Sequence, residues 1–348
     1  MATSPSLRDL AKALGLSHTT ISEALRGTPR VKPETRDRIL AAARAAGYRS
    51  NPLAGALMSE MRRARGGTFR GVLAILDLDG PEGRPVSATR YHAELDRGVR
   101  ERADQLGFKG ELFALGQRGV SLPRLDTILR SRGIRGLVFL PVDAQPDLTA
   151  LDWRHYAGVY TDYVIAKPRL HCVCSDHYLA MFTAMERLAA LGYRRPGLVI
   201  SRHQDERLLY RWEAGFTARR EHYPDFARIK PLVPVDVTRE AFTKWFKETK
   251  PDVVLCHRAE VIEWMQECGA RVPETHGFCC LNQTMNPRSC AGVDLQPRLL
   301  GARAVELLIA QIYHNEYGVP PTASITSIPA VWTDGPTLRA MPPVPTKS

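Results

Sequence analysis

The sequence predicts a small all-helical module of helix-turn-helix type followed by an α/β core built on parallel sheet. Three observations predict it. Apolar residues recur at helical spacing on either side of a glycine within the first 25 residues. From Gly71 onward, short apolar runs alternate with helical stretches. The charge is also uneven: of a net +11 over 348 residues, residues 1–65 hold 12 Lys/Arg against 5 Asp/Glu, which is +7 in under a fifth of the length. A concentrated basic module is the footprint of phosphate binding.

Leu7, Leu10, Ala11 and Leu14 give the first helix an apolar face. Gly15 supplies the positive φ of a tight turn. Ser17 is placed to N-cap a second helix, in which Ile21, Ala24 and Leu25 point inward and His18, Thr19, Ser22 and Glu23 stay polar. A third helix runs from Pro33 to Ala46, with proline in its first turn and Gly47 as its C-terminal cap. Asn51 and Pro52 repeat the cap-then-proline signal and open a further helix to about Ser59. Arg62, Arg63, Arg65, Gly66 and Gly67 read as a linker. A plain helical bundle shares the cap, the turn and the stripe; the basic charge is what favours a DNA reader, whose second helix enters the major groove by its N-terminal residues.

In the remainder, Gly71–Leu76 reads as a buried strand and Tyr91–Leu106 as a helix ended by Gly107. Glu111–Leu115, Gly136–Leu140 and Ala157–Tyr160 read as strands, with a helix near Pro123–Arg132. A second lobe is expected from about Leu170. It has a helix at His177–Ala190, a strand ending at Ile200, and helices at Arg207–Arg220, Arg239–Lys247 and Glu260–Glu267. Strands follow at Val253–Cys256 and Gly277–Leu281. A helix from Pro297 to Tyr313 and a strand around Ile325–Val331 return to the first lobe. This alternation argues for parallel sheets covered on both faces.

Composition is globular, at 44% hydrophobic and 24% charged, which argues against global disorder. No apolar run reaches membrane length and the N-terminus lacks a signal-peptide core, so the expectation is a cytoplasmic protein with no membrane partner. The seven cysteines are odd in number and form no Cys-x-x-Cys pair, as buried thiols would. His171, Cys172, Cys174 and His177 match no familiar ligand spacing, so neither a metal nor a cofactor is expected. The phosphate loops, nucleophile elbow and zinc-helix motif of common enzymes are missing, which points away from catalysis.

The ordered run Leu7-x-Asp9-Leu10-Ala11, Gly15-Leu16-Ser17, Thr20-Ile21-Ser22, Val31-Lys32-Pro33-Glu34-Thr35-Arg36 and Gly47-Tyr48-x-x-Asn51-Pro52 resembles the headpiece of the LacI/GalR family of transcription regulators. The likeness extends to Asp176-His177-Tyr178 with Leu191-Gly192-Tyr193, to Gly292–Gln296 with Leu300–Val305, and to Pro329–Trp332 with Thr337–Arg339, and is weaker between about 200 and 290. The resemblance implies a periplasmic-binding-protein-like core of two Rossmann-like lobes joined by three crossovers, with a ligand cleft between them. It divides the chain into a headpiece at 1–50, a hinge helix and linker at 51–68, and a core at 69–340. The core's N-subdomain is then about 69–163 with 293–325, and its C-subdomain about 164–292 with 326–340.

On that resemblance, His18, Thr19 and Glu23 make base contacts, each with chemistry that suits a base edge. Glu23 stands where the lactose repressor carries a basic residue, so its half-site differs, and a carboxylate there suits cytosine. A solvated or intrahelically paired Glu23 stays open beside that reading. Ser6, Ser17, Thr20, Ser22, Thr28 and Arg30 are candidate phosphate contacts. Asn51, Leu53, Ala54 and Leu57 fall on the hinge helix, where paired Leu57 side chains of a dimer would wedge into the minor groove.

Candidate effector contacts are Asp77, Asp79, Tyr91, Asp176 and Asn282 at strand ends. To these the resemblance adds Arg211, Trp212, His257 and Arg258, where Trp212 replaces an arginine and His257-Arg258 replaces an Asn-Asp pair. The implied partners are a near-palindromic DNA operator, a second copy of the chain, and a small effector that is sugar-like or anionic. Internal ion pairs with no effector, and a soluble ligand-binding protein of the same fold, remain as rival readings.

Overall fold

The structure is a computed structural model that describes residues 7–25, 31–46, 69–80, 84, 86–115, 121–143, 145–161, 163, 167–223 and 226–340. The chain divides into two compact units, one holding the N-terminal helices and one the α/β core.

The first unit contains α1 (Leu7–Leu14), α2 (His18–Leu25) and α3 (Pro33–Ala45). Gly15 has φ +62°, the left-handed value a side chain resists, and it lets the chain turn sharply between α1 and α2. The Ser17 hydroxyl accepts from the Thr20 amide at 3.1 Å, so Ser17 caps α2 as its position predicts. Pro33 sits at the start of α3, where its missing N–H costs nothing. Leu10, Ile21, Ala24, Val31, Ile39 and Ala43 form the buried centre. Burying a residue such as Ile21 fully contributes about 1.5–3 kcal/mol, so a few such side chains hold this small module.

The core's elements follow in chain order. They are β1 (Gly71–Asp77), α4 (Val86–Gln105), β2 (Phe108–Ala114), α5 (Leu122–Ser131), β3 (Gly136–Phe139), β4 (Ala157–Tyr160) and β5 (His171–Ser175). Then come α6 (His177–Ala190), β6 (Pro196–Val199), α7 (Arg202–Glu206), α8 (Arg211–Glu221), α9 (Arg239–Thr249) and β7 (Val253–Cys256). The last are α10 (Val261–Glu267), β8 (Gly277–Cys280), β9 (Gly292–Asp294), α11 (Pro297–His314), β10 (Ile325–Ile328) and β11 (Val331–Thr333).

One sheet has the order β10-β5-β4-β3-β1-β2, parallel throughout. The other runs β11-β9-β8-β7-β6, parallel except for the β11–β9 edge. The strands read as short apolar runs because helices cover both faces.

The chain passes between the lobes three times: after Ser175, after Asp294 and after Ile328. Hydrogen bonds tie these passages together. The Asp176 amide donates to Ile328 O at 2.8 Å, the Ser175 hydroxyl to Leu295 O at 3.1 Å, and the Gln296 side-chain amide to Pro329 O at 2.8 Å.

Four sequence expectations need correction. The second lobe does not begin near Leu170, because β5 pairs with β4 and β10 in the first sheet; the crossing comes after Ser175. Ile325–Val331 is not one strand. β10 belongs to the first sheet and β11 to the second, and the break falls at Pro329, which has no N–H to extend a ladder. The C-subdomain strand therefore begins at Val331 rather than at 326. The helix expected from Arg207 starts at Arg211, as α8; the short α7 ends before Arg207, and Leu209 and Tyr210, both in left-handed conformation with φ 57°, break the chain between the two. Asp205 stabilises the break, its buried carboxylate accepting from the Trp212 and Glu213 amides at 3.1 Å each. Finally, α4 starts at Val86 rather than Tyr91.

In the first lobe α4 and the start of α11 approach closely. A Cβ at Gly98 would lie 2.0 Å from Arg298 O, and one at Gly301 would lie 2.3 Å from Leu95 O. Gly98→Ala is expected to destabilise the core by about 1–3 kcal/mol, since the clash is with backbone that has little room to give. Denaturant unfolding checks this, and an unchanged midpoint would show that the helices separate freely.

Candidate functional site

Two places carry chemistry. In the first unit, α2 presents its N-terminal turn. The Ser17 and Thr20 hydroxyls lie 2.8 Å apart there, one turn of polar surface at the positive end of a helix. His18, Thr19 and Ser22 occupy helical backbone positions on α2; their side chains lie outside the described residues. Glu23, one turn after Thr19, is half-buried. Ser6, Thr28, Arg30, Asn51, Leu53, Ala54 and Leu57 also lie outside the described residues.

The second place is a cavity of about 80 Å³ between the two lobes of the core. From the first lobe it is walled by Tyr91 and His92 on α4, with Thr161, Tyr163 and Ser175 at the ends of β4 and β5. His177, Gln204, Arg207, His257 and Asn282 close it from the second lobe. Short polar contacts fix this wall: the Tyr163 hydroxyl donates to Ser175 O at 2.8 Å, and the Thr161 hydroxyl to Phe139 O at 2.7 Å. The Tyr91 and Ser175 hydroxyls lie 3.4 Å apart.

Behind the wall Trp212 is fully buried, its ring edge-on to His177 at 5.1 Å and to His257 at 5.2 Å. Burial holds His92, His177 and His257 neutral, pushing each down to about 3. Neighbouring positive charge adds to this: Arg84 and Arg207 beside His92, Arg207 and Arg211 beside His177, and Arg207 beside His257. The Nδ1 atoms of these three rings and the Asn282 side-chain oxygen have no hydrogen-bond partner among the described residues.

The structure brings Tyr91, His257 and Asn282 together on this cavity. It places the other sequence candidates differently. Asp77 is held by Arg84, and Asp79 accepts from the Asp143 amide at 2.7 Å. Asp176 caps α6, accepting from the Leu179 amide at 2.9 Å. Arg211 lies over the Tyr163 ring at 4.3 Å, and Trp212 is packed behind the imidazoles. Arg258 turns away from the cavity to Val237 O at 3.3 Å, Glu260 and the Trp264 ring. Sequence reasoning missed Arg207, His92 and His177 as cavity residues. The available signal for His177 was its place at the start of the expected helix His177–Ala190, next to the candidate Asp176.

Among the described residues, no cluster of three or more His, Cys, Asp or Glu is placed to hold a metal ion. Nor is any helix among them long and apolar enough to cross a membrane.

Residues 6–51 match the family described as bacterial regulatory proteins, lacI family, and residues 185–331 match the periplasmic binding protein-like domain. The chain joins a lacI-family headpiece to a periplasmic-binding-protein-like core. A stretch of 45 residues is 58% identical to the HTH-type transcriptional regulator AglR of Rhizobium meliloti and covers 13% of each chain. The HTH-type transcriptional regulator DegA of Bacillus subtilis is 25% identical over 145 residues, 41% of this chain and 39% of DegA. The chain thus spans well under two thirds of either regulator. A solved structure described as a transcriptional regulator CelR–cellobiose complex covers 96% of this chain and 99% of its own, with a TM-score of 0.60 at 18% identity. At that identity the likeness shows the fold alone.

Proposed function

We propose that this protein is a sequence-specific DNA-binding transcriptional regulator, acting as a homodimeric repressor whose hold on DNA is set by a small molecule in the interlobe cavity. The observation that carries the reading is the lacI-family match over the Ser17-capped helix-turn-helix. In this reading His18, Thr19 and Glu23 contact bases from the major groove, each good contact contributing about 1–3 kcal/mol of discrimination. Ser6, Ser17, Thr20, Ser22, Thr28 and Arg30 position the headpiece on phosphates. Two headpieces read the halves of a near-palindrome, and paired Leu57 side chains, flanked by Asn51, Leu53 and Ala54, part the central base step. The solved CelR–cellobiose complex, whose fold this chain shares, supports a small-molecule effector. Coupling requires an effector that binds the two lobe arrangements unequally.

Selection from a random DNA pool by the full-length protein at near-physiological salt tests the reading. A palindromic consensus with a flexible pyrimidine–purine step at its centre is expected. No enrichment by folded protein overturns the regulator, and a palindrome without such a step removes the Leu57 wedge. Glu23→Gln is expected to change the preferred base at one position per half-site; an unchanged consensus takes Glu23 out of the specificity set.

A further inference from the structure

We infer that Asn286 is a positioning residue of the interlobe cavity: its side-chain amide holds His257 and Asn282, which come from two different loops, in one wall. The inference rests on the reading of this cavity as an effector site and names a residue that shapes the site from behind its lining.

The argument begins where the sheet stops. β7 and β8 are parallel neighbours, paired from Val253 with Gly277 to Cys256 with Cys280. The Leu281 amide still donates to Cys256 O at 3.0 Å. His257 and Asn282 follow that last rung directly and line the cavity, as does Met285. Loops at the carboxyl ends of parallel strands collect ligands, but the strand ladder no longer fixes one loop against the next. Two side chains from neighbouring loops form one surface only if another bond registers them.

Asn286 supplies it with both halves of its carboxamide. Its Oδ1 accepts from the Ala259 amide at 2.9 Å, and its Nδ2 donates to His257 O at 2.8 Å and to Asn282 O at 3.1 Å. Nδ2 also donates to Cys280 Sγ at 3.1 Å, at the end of β8. The partners fix which way the amide faces, because a backbone N–H needs an acceptor and a carbonyl needs a donor. One side chain therefore ties the loop after β7 at two points to the start of the loop after β8.

Asn286 is itself held firmly. It closes the 3-10 turn Gln283–Met285, its amide donating to Gln283 O at 3.0 Å. The Gln283 side-chain amide donates to Cys290 O, and the Thr284 hydroxyl to Asp294 Oδ1 at 3.3 Å. From the first lobe, Arg90 on α4 donates to Asn286 O at 3.0 Å.

Aspartate has the shape of asparagine but only acceptors when ionised. In Asn286→Asp the bond from Ala259 survives, while a carboxylate oxygen faces the carbonyls of His257 and Asn282. The substitution removes the positioning and spares the packing.

Nuclear magnetic resonance of the full-length protein at pH 7, without ligand, tests this. The His257 imidazole signal is identified by its loss in His257→Gln. In Asn286→Asp that signal is expected to move, while those of the exposed His222 and His314 stay in place and the Ala259 amide remains protected from hydrogen exchange. In Asn286→Leu, which offers no acceptor, the Ala259 amide should exchange about tenfold faster or more. A His257 signal that stays in place in Asn286→Asp overturns the inference. So does a shift of all the histidines together, which marks a residue of the fold in general rather than of this wall. If the variants fail to fold, the wild type decides: the Asn286 side-chain amide protons should exchange at least about tenfold more slowly than those of the exposed Asn315, and equal rates overturn the inference. The measurement contains no ligand, so its failure leaves the effector reading standing, and failure of that reading leaves Asn286 holding the same wall.

Discussion

Trp212→Ala is expected to cost the core about 3–5 kcal/mol, the range for deleting a fully buried indole and leaving a cavity. Trp212 has no exposed surface and belongs to the second lobe's main cluster with Met181, Leu208 and Phe216. Its loss is felt at the cavity as well, since the indole is the surface against which His177 and His257 pack edge-on. Trp212→Phe separates shape from polarity. The indole N–H has no partner among the described residues, so the phenyl ring gives up packing but no hydrogen bond. Its cost should stay below about 2 kcal/mol, as for other swaps that keep most of the volume. Denaturant unfolding of each variant is the check. A cost under 1 kcal/mol for Trp212→Ala would mean that the lobe collapses onto the gap.

The second large effect is acid sensitivity. An unfolded histidine takes up its proton near 6.5, while in the folded core His92, His177 and His257 stay neutral down to about 3. Between those values the unfolded chain holds more protons, so acid favours unfolding. The stability these groups contribute by staying neutral is complete above about pH 6.5 and is lost as the pH falls toward 3. Three protons set a limiting slope of about 4 kcal/mol per pH unit. His276, also lowered by burial, acts in the same direction. Asp79 and Asp205, raised by burial, oppose it only nearer the carboxylate range. Unfolding free energy measured between pH 7 and 5.5 should therefore fall with acid, and less steeply in His257→Gln. A flat profile would mean that water reaches these rings in the folded protein.

Much of the fold was legible because its signals are local. The Ser17 cap, the Gly15 turn and Pro33 each act within one helical turn, and the structure carries all three where the sequence predicts them. The strands at β1, β3, β4 and β7 were legible as apolar runs because a strand covered on both faces has no polar side to show. Which lobe a strand joins is a different matter. β5 is buried like strands of either sheet and lies between β4 and β10, the latter far along the chain, so no pattern within its own five residues marks the crossing.

The cavity was legible where a residue follows a strand end directly, as with His257 and Asn282. Arg207 escaped because the helix break at Leu209 and Tyr210 carries neither glycine nor proline to announce it. Arg258 misled because a charge in a loop after a strand can turn either way, and here Glu260 and Val237 draw it outward.

The cross-tied passages between the lobes have a mechanical consequence. A single strand joining two bodies is a swivel, free to bend and twist about several axes. Three strands side by side, bonded to each other through Ile328, Leu295 and Pro329, behave as a braced strip that resists twist and leaves bending as its soft direction. Any relative motion of the two lobes is then resolved along the one direction the strip leaves soft, so opening and closing of the cavity would follow a single path.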